Sequence, residues 1–490
     1  MKRLFEGLGF RDRLAVKLTS AILIALAILL IISLIPSAFT TLDLTVGKAL
    51  SLSNESIDLA NGVNEDVKIL LITSSESKSK DTEAVLGRYD RYGKRISVTR
   101  LDADTDRDEI EKYIPYTESA VGGVIVSSER RSLYIPRHLL LSYSEEALAS
   151  ASQTYSYLYS NGETDLNFSE FLAYFGEQLA LNDGYCFESR LNAAIRYVTA
   201  PEIRRLCFVS GKASDYFSDS IAFWFAANMI ETLDTDLDTS DIPSDADYAM
   251  VMPAQTDISQ KAKTKLSAYI AGGGKVLLAS SYGVDTYPNL SALCSEMGLS
   301  SPSSYIFDDT ATRYFGSPET LLPSLKGGLS GAITEGQSFI LPLCTEIRVS
   351  ETLPEGLSVT PLITTSDGAY VKKDLSKGYA FDEATDTRGE RYIGVSAKNT
   401  LGGELIFVSS SLMLVDDFDY YSGKGNKTVF FKLLTDGGVT DPSRLAPDPK
   451  PISAPLTPNS AAMYAVIAVS ALISLAAFAC GMILGFKRNS

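Results

Sequence analysis

Apolar positions along residues 187–282 change period repeatedly, and each change marks an element. Leu191, Ala194, Ile195 and Val198 fall on one helical face and predict a helix over 188–200. The unbroken run Leu206, Cys207, Phe208 and Val209 reads as a buried strand closed by a turn at Gly211. A helix follows over 222–230, then a turn at 242–247 leading into a strand that reaches Val251. Residues 259–271 are amphipathic at helical spacing, Gly272, Gly273 and Gly274 stop that helix, and 275–280 predict another strand. Strands alternating with helices are the pattern of parallel βαβ units, so the segment predicts an open α/β sheet.

Downstream the regularity fades. Residues 283–390 are rich in Pro, Ser and Gly with short strand-like runs at 338–341 and 359–365, and read as β-rich insertions on the α/β core. It returns with strands at 392–396 and 404–409 and a helix at 427–434, which bounds this unit at 187–437. Upstream, residues 67–73 predict a buried strand, 81–92 a helix, 95–101 a second strand, and 122–126 with 132–135 a hairpin. A βαβ unit followed by a hairpin is a thioredoxin-like arrangement, assigned to 41–140. The stretch 41–64 is polar and reads as a strand or stalk, and the Tyr- and Ser-rich connector 141–186 as helical turns. Residues 438–460 hold Pro447, Pro449, Pro451, Pro455 and Pro458, a composition that favours an extended spacer.

Two apolar runs flank everything. Residues 18–35 carry no charge, and eighteen helical residues span about 27 Å, near the hydrocarbon thickness of a bilayer. The second run, 461–486, is longer. Membrane helices are therefore expected at 18–36 and 461–486. For the first, a cleaved signal peptide is the alternative, but the run is long and Pro36, Ser37 and Ala38 make a poor cleavage site. Lys2, Arg3, Arg11, Arg13 and Lys17 precede the first run, and Lys487 and Arg488 follow the second, which puts the tails 1–17 and 487–490 in the cytoplasm and the middle outside it. The formal net charge of −16 argues against a nucleic-acid partner, since no basic face is available to neutralise phosphates.

The wording of several segments resembles the auxiliary component of gliding-motility-type ABC transport systems, the GldG-like family. The likeness rests on residues 190–198 (Arg-Leu-Asn-Ala-Ala-Ile-Arg-Tyr-Val), the strand ending at Gly211, residues 242–247 (Ile-Pro-Ser-Asp-Ala-Asp), residues 266–278 around the triple glycine, and residues 403–408 followed by Gly425 and Asn426. The resemblance implies an N-terminal membrane helix, a thioredoxin-like domain, a glutamine-amidotransferase-like α/β domain and a C-terminal membrane helix. It further implies ABC permease and ATPase subunits as partners, beside the lipid bilayer. Where the family often has Gly-His-Gly-Glu, this chain reads Gly211, Lys212, Ala213, Ser214.

Candidate chemistry is sparse. The loop after the first strand reads Ser74, Ser75, Glu76, Ser77, so the thioredoxin-like unit lacks the Cys-x-x-Cys that dithiol exchange requires and is read as a binding or spacing unit. The single histidine, His138, reads as structural, and no Gly-x-Ser-x-Gly elbow exists for a serine nucleophile. Cys207 reads as a core residue, and Cys186, Cys207, Cys294 and Cys344 show no metal-ligand spacing, while their pairing as disulfides stays open. Gly272–Lys275 lies between a helix and a strand, the reverse of a phosphate loop. The runs Asp102, Asp104, Asp106, Asp108 and Asp234, Asp236, Asp238, Asp241 lack the glycine a calcium loop needs. No catalytic residue, metal or cofactor is assigned. Since ligands of open α/β sheets bind beyond the carboxyl ends of strands, Gly211, Lys212, Ser214, Asp416, Asp417 and Asp419 are the expected binding surface. The functional expectation is a non-enzymatic auxiliary subunit of a bacterial ABC transport system. A membrane-tethered binder of envelope polysaccharide is the alternative, and a hydrolase or amidotransferase ranks last.

Overall fold

The computed structural model describes residues 50–451 except 75–79, 167, 177–183, 253–255, 282, 373–374, 436–437 and 448. The apolar runs expected to cross a membrane, 18–36 and 461–486, lie outside these residues, as do Pro455 and Pro458. Among the described residues no helix is long and apolar enough to cross a membrane. The fold is mixed α/β with several sheets.

The first sheet is built from β1 (Val67–Thr73), β2 (Ile96–Asp102), β3 (Val124–Ser127) and β4 (Ser132–Ile135), in the order β2-β1-β3-β4. β1 runs parallel to β2 and antiparallel to β3, as expected for a βαβ unit followed by a hairpin. The stretch read as a strand or stalk instead contains a helix, α1 (Asn54–Gly62), and α2 (Lys80–Tyr92) follows β1. Ser53 caps α1 by accepting from the Ser56 N–H at 3.2 Å, and Ser56 and Ala60 are buried. Polarity hid this helix, because only a narrow strip of it meets the core.

A short sheet joins distant parts of the chain. β5 (Leu141–Ser142) pairs with β6 (Gly184–Tyr185), and β6 pairs with a strand at Lys450–Pro451. Between β5 and β6 lie two helices, α3 (Glu145–Ser160) and α4 (Phe168–Phe175). The helix expected to open the second unit, α5 (Phe187–Thr199), packs against the first sheet: Leu191, Ala194, Ile195 and Val198 share a core with Ile69, Leu71, Val124, Val126 and Ile135. A helical stripe states that one face is buried, not which sheet buries it.

The larger sheet, eight-stranded among the described residues, follows. Its parallel half comprises β7 (Arg204–Phe208), β8 (Ile230–Asp234), β9 (Tyr248–Val251), β10 (Lys275–Ala279) and, after the insertion, Glu404–Val408. Interleaved helices α6 (Asp219–Ala227), α7 (Gln260–Ala271) and α8 (Pro288–Glu296) cover it. Helix α6 ends earlier than expected, since Ile230 opens β8 after Met229 turns the chain at φ 57°. The other part is antiparallel, an orientation that the runs expected at 359–365 and 392–396 left open. Counting on in chain order, β11 (Ser324–Leu325), β12 (Ser358–Thr364) and β13 (Tyr392–Lys398) extend the sheet from β14 (Glu404–Val408), each antiparallel to its neighbour. Part of the presumed insertion is therefore sheet. The short link between β13 and β14 dictates this, because a parallel pair needs a crossover of a dozen residues or more. That link holds Gly403, where a Cβ would lie 1.7 Å from the Ile270 carbonyl, and Asn399, whose amide donates to the same carbonyl at 2.9 Å.

Both faces of the parallel strands are buried, which explains their unbroken apolar runs. In β10, Leu277 and Ala279 join a core with Trp224 and Phe225 of α6 and with Phe430 and Phe431 of the terminal helix Gly425–Leu434. Val276 and Leu278 face Leu266 and Ile270 of α7 and Leu290 and Leu293 of α8.

Candidate functional site

The carboxyl ends of β7, β9, β10 and β14 form the edge where a ligand was expected. At β7, Gly211 takes a left-handed φ of 122°, and the Ser210 hydroxyl accepts from the Met252 N–H at 2.7 Å, tying β7 to β9. The Ala213 N–H donates to Asp234 at 2.8 Å, while Lys212 and Ser214 are exposed. Beyond β10 and β14, the Ser281 hydroxyl accepts from the Ser411 N–H at 3.0 Å, and the Ser410 hydroxyl donates to the Pro342 carbonyl at 2.6 Å. The edge is stitched by its own hydrogen bonds.

Asp419 does not join that surface. It is buried in the helix Asp416–Tyr421, 2.9 Å from the Lys427 ammonium, and accepts from the Lys427 N–H at 3.1 Å. Lys427 in turn donates to the Ser220 hydroxyl at 2.9 Å and lies over the Trp224 ring. Asp419 is thus a buried ion-pair partner that ties its own short helix to the helix Gly425–Leu434, and Lys427 carries the link on to α6. Asp416 and Asp417 open the same short helix, and their side chains lie outside the described structure. Besides Lys212 and Ser214, the edge exposes two rings: Tyr421, 49% exposed, and Phe315, 38% exposed, sit with ring centroids 5.2 Å apart.

The remaining candidates are structural. The Asp102 carboxylate accepts from the Asp104 N–H, and Asp106 accepts from the Asp102 N–H, so these acids shape a turn. Asp236 does the same for Asp238, and Asp241 pairs with Lys265. No cluster of three or more His, Cys, Asp or Glu able to hold a metal occurs among the described residues. Cys186, Cys207, Cys294 and Cys344 are buried, and Cys207, Cys294 and Cys344 are free thiols. Burial pushes the Cys294 thiol up to about 12 and raises Cys207 and Cys344 as well, which keeps them as unreactive thiols. His138 is buried 3.8 Å from Asp219, and desolvation followed by the nearby Arg190 charge lowers its pKa to about 4, so it is neutral at physiological pH.

A polar cluster that the sequence reading missed lies on α5. Glu188 and Asn192, one turn apart and buried, gather both ends of the described chain. Glu188 accepts from the Ser53 N–H at 2.6 Å and pairs with Lys450, whose ammonium also donates to the Ser51 carbonyl. The Asn192 amide donates to the Ser56 hydroxyl at 2.9 Å and the Leu445 carbonyl at 3.0 Å, and its oxygen accepts from the Tyr89 hydroxyl at 2.8 Å. Burial alone would raise the Glu188 carboxyl, yet hydrogen bonds from Lys450, Ser56 and Ser53 hold it below the usual range. The sequence did carry a signal: an acid and an amide at i and i+4 on an otherwise apolar face, which burial obliges to find partners.

No protein-family model and no curated protein matches the chain. Among solved structures, the mmIFT52 N-terminal domain is similar at 16% identity and a TM-score of 0.36, covering 48% of this chain and all of that one. Agd3, described as a novel carbohydrate deacetylase, is similar at 10% identity and a TM-score of 0.26, covering 45% of this chain and 32% of that one. At these scores neither likeness carries an argument about fold or activity.

Proposed function

We propose that this chain is a non-enzymatic, membrane-anchored auxiliary subunit of an ABC transport system, with its α/β body outside the cytoplasm. The observation that carries the reading is the meeting of both ends of the described chain at Glu188. Two apolar runs destined for one bilayer must leave a folded body on one side. Here Ser53, near the start of the described chain, and Lys450, near its end, contact the same carboxylate, and the Lys450 ammonium also donates to the Ser51 carbonyl. In the sequence, residues 452–460 lie between these contacts and the second apolar run.

Two finer fold assignments belong to the same reading. The order β2-β1-β3-β4 with α5 across it is thioredoxin-like, and the five parallel strands with helices on both faces are amidotransferase-like. The absence of a dithiol motif makes the first a binding or spacing unit. The test is a mild-detergent pull-down of the tagged full-length chain from its native membrane. Stoichiometric recovery of an ABC ATPase and a multi-span permease is expected. Recovery of the chain alone, or with cell-wall material, would overturn the reading.

A second reading, a membrane-tethered binder of envelope polysaccharide, is favoured by one feature. The exposed pair Phe315 and Tyr421 offers flat apolar rings at the sheet edge, the kind of face on which sugar rings stack.

A further inference from the structure

Between Leu139 and Phe187 the chain carries seven carboxylates and no lysine, arginine or histidine. Its described part folds into the hairpin of α3 and α4, which has a small core of its own: Ala151, Phe171 and Leu172, with Leu148, Leu158 and Phe168 packed against them. Tyr155 holds the two helices together, its ring centroid 5.4 Å from Phe168 and 5.7 Å from Phe171. The hairpin is therefore pre-formed, and it leaves its apolar groups largely to itself.

Its far end is where polar chemistry and exposed rings coincide. Tyr157 and Tyr159 are 64% and 60% exposed, roughly 20 Å along the helix from the start of α3. Glu163 and Asp165, in the turn that follows, are exposed, as is Glu146 at the base. Large exposed rings among like charges are the composition of a protein-binding surface, where tyrosine supplies contact area and charge selects the partner. A carboxylate-rich surface is repelled by anionic lipid headgroups and by nucleic acid. It complements a cationic polypeptide. The place of the hairpin points the same way: β5 and β6, which bracket it, share a sheet with Lys450–Pro451, the last described residues before the second apolar run in sequence.

We propose that the α3–α4 hairpin is an arm that docks onto a lysine- or arginine-rich extracytoplasmic segment of a membrane-embedded partner subunit. This rests on the auxiliary-subunit reading above. The test places a photo-crosslinking benzoylphenylalanine at position 157 or 159 of the full-length chain in its native membrane and sequences the adduct. The expected adduct is a partner peptide bearing several basic residues. Its yield should fall at least about five-fold in the E146K/E163K/D165K variant, and also for the unmodified charge set when a tenfold rise in ionic strength shortens the screening length about three-fold. An adduct with phospholipid only, an adduct with a second copy of this chain, no adduct, or a yield indifferent to both charge reversal and salt overturns the proposal. The salt arm needs no substitution, so misfolding of the variant cannot decide the result. Co-purification of ATPase and permease, measured on the same samples, separates the two failures. If it persists while the adduct fails, only the arm is wrong; if it is missing from the unaltered chain, both proposals fall.

Discussion

The carboxyl edge of the large sheet and the junction on α5 invert what their sequences suggest. The edge carries acids and serines in the place where α/β sheets bind ligands, yet its polar groups are largely spent on each other: Asp419 on Lys427, Ser281 on Ser411, Ser210 on Met252. The junction sits inside a helix that reads as plain core, yet Glu188 and Asn192 draw together residues as far apart as Ser51 and Lys450. Polar residues announce function in a sequence only when their partners are also legible. Partners hundreds of residues away are not.

Four measurements bear on this contrast. The largest effect is expected at the edge. Asp419→Ala leaves the Lys427 ammonium buried without its counter-charge, and denaturant unfolding should show a loss of about 3–5 kcal/mol. Adding Lys427→Met should recover much of it; a ligand-binding Asp419 would instead be nearly neutral to stability.

Next comes the response to acid. His138 has a folded pKa of about 4 against 6.5 when free, so the unfolded chain takes up a proton that the folded chain refuses. Its contribution is whole above pH 6.5, falls by about 3 kcal/mol as pH drops to 4, and is level below that. His138→Gln should flatten stability in that window. Glu188, whose folded pKa lies below its ordinary value of 4.5, acts lower: its contribution is present above pH 4.5 and is lost below it. A loss confined to pH below 4.5 in the parent chain would remove His138 from the account.

Glu188→Gln keeps the shape and removes the charge. A charge-assisted hydrogen bond of this kind contributes about 1.5–3 kcal/mol, and limited proteolysis should begin to cut near Lys450. Cleavage unchanged from the parent would mean the junction does not hold the chain end. The smallest effect belongs to the exposed rings: Tyr421→Ala with Phe315→Ala should change stability by no more than about 0.5 kcal/mol. If binding of a soluble glycan is found and the pair abolishes it, the tethered-binder reading gains over the subunit reading.

Much of the fold was legible. The strands of the parallel half follow from apolar runs, and α7 from its spacing and its glycine stop, with Ser259 capping it as the N-cap rule prescribes. The first sheet follows from the strand, helix and hairpin pattern. Three things were not. The two-residue strand β11 is too short to show a period, and the run at 359–365, which does form β12, gave no sign that it extends the large sheet. Helix α1 is polar because it meets the core along a narrow strip. The allegiance of α5 to the first sheet depends on a contact map, not on a period. For the site, Gly211, Lys212 and Ser214 do lie at a strand end, but the partner of Asp419 sits eight residues on in another helix, and no local pattern reveals that the two are buried together.

The junction also sets a mechanical property. A pull that separates the two ends of the described chain meets Lys450, Ser51 and the Glu188 carboxylate first, together with the short strand pair of Lys450–Pro451 on β6. The load passes across this small patch before it reaches either sheet, so both are shielded from tension. Relative movement of the two terminal segments would peel open a local seam and leave the body folded, which gives the molecule a built-in weak link at the one place where its ends meet.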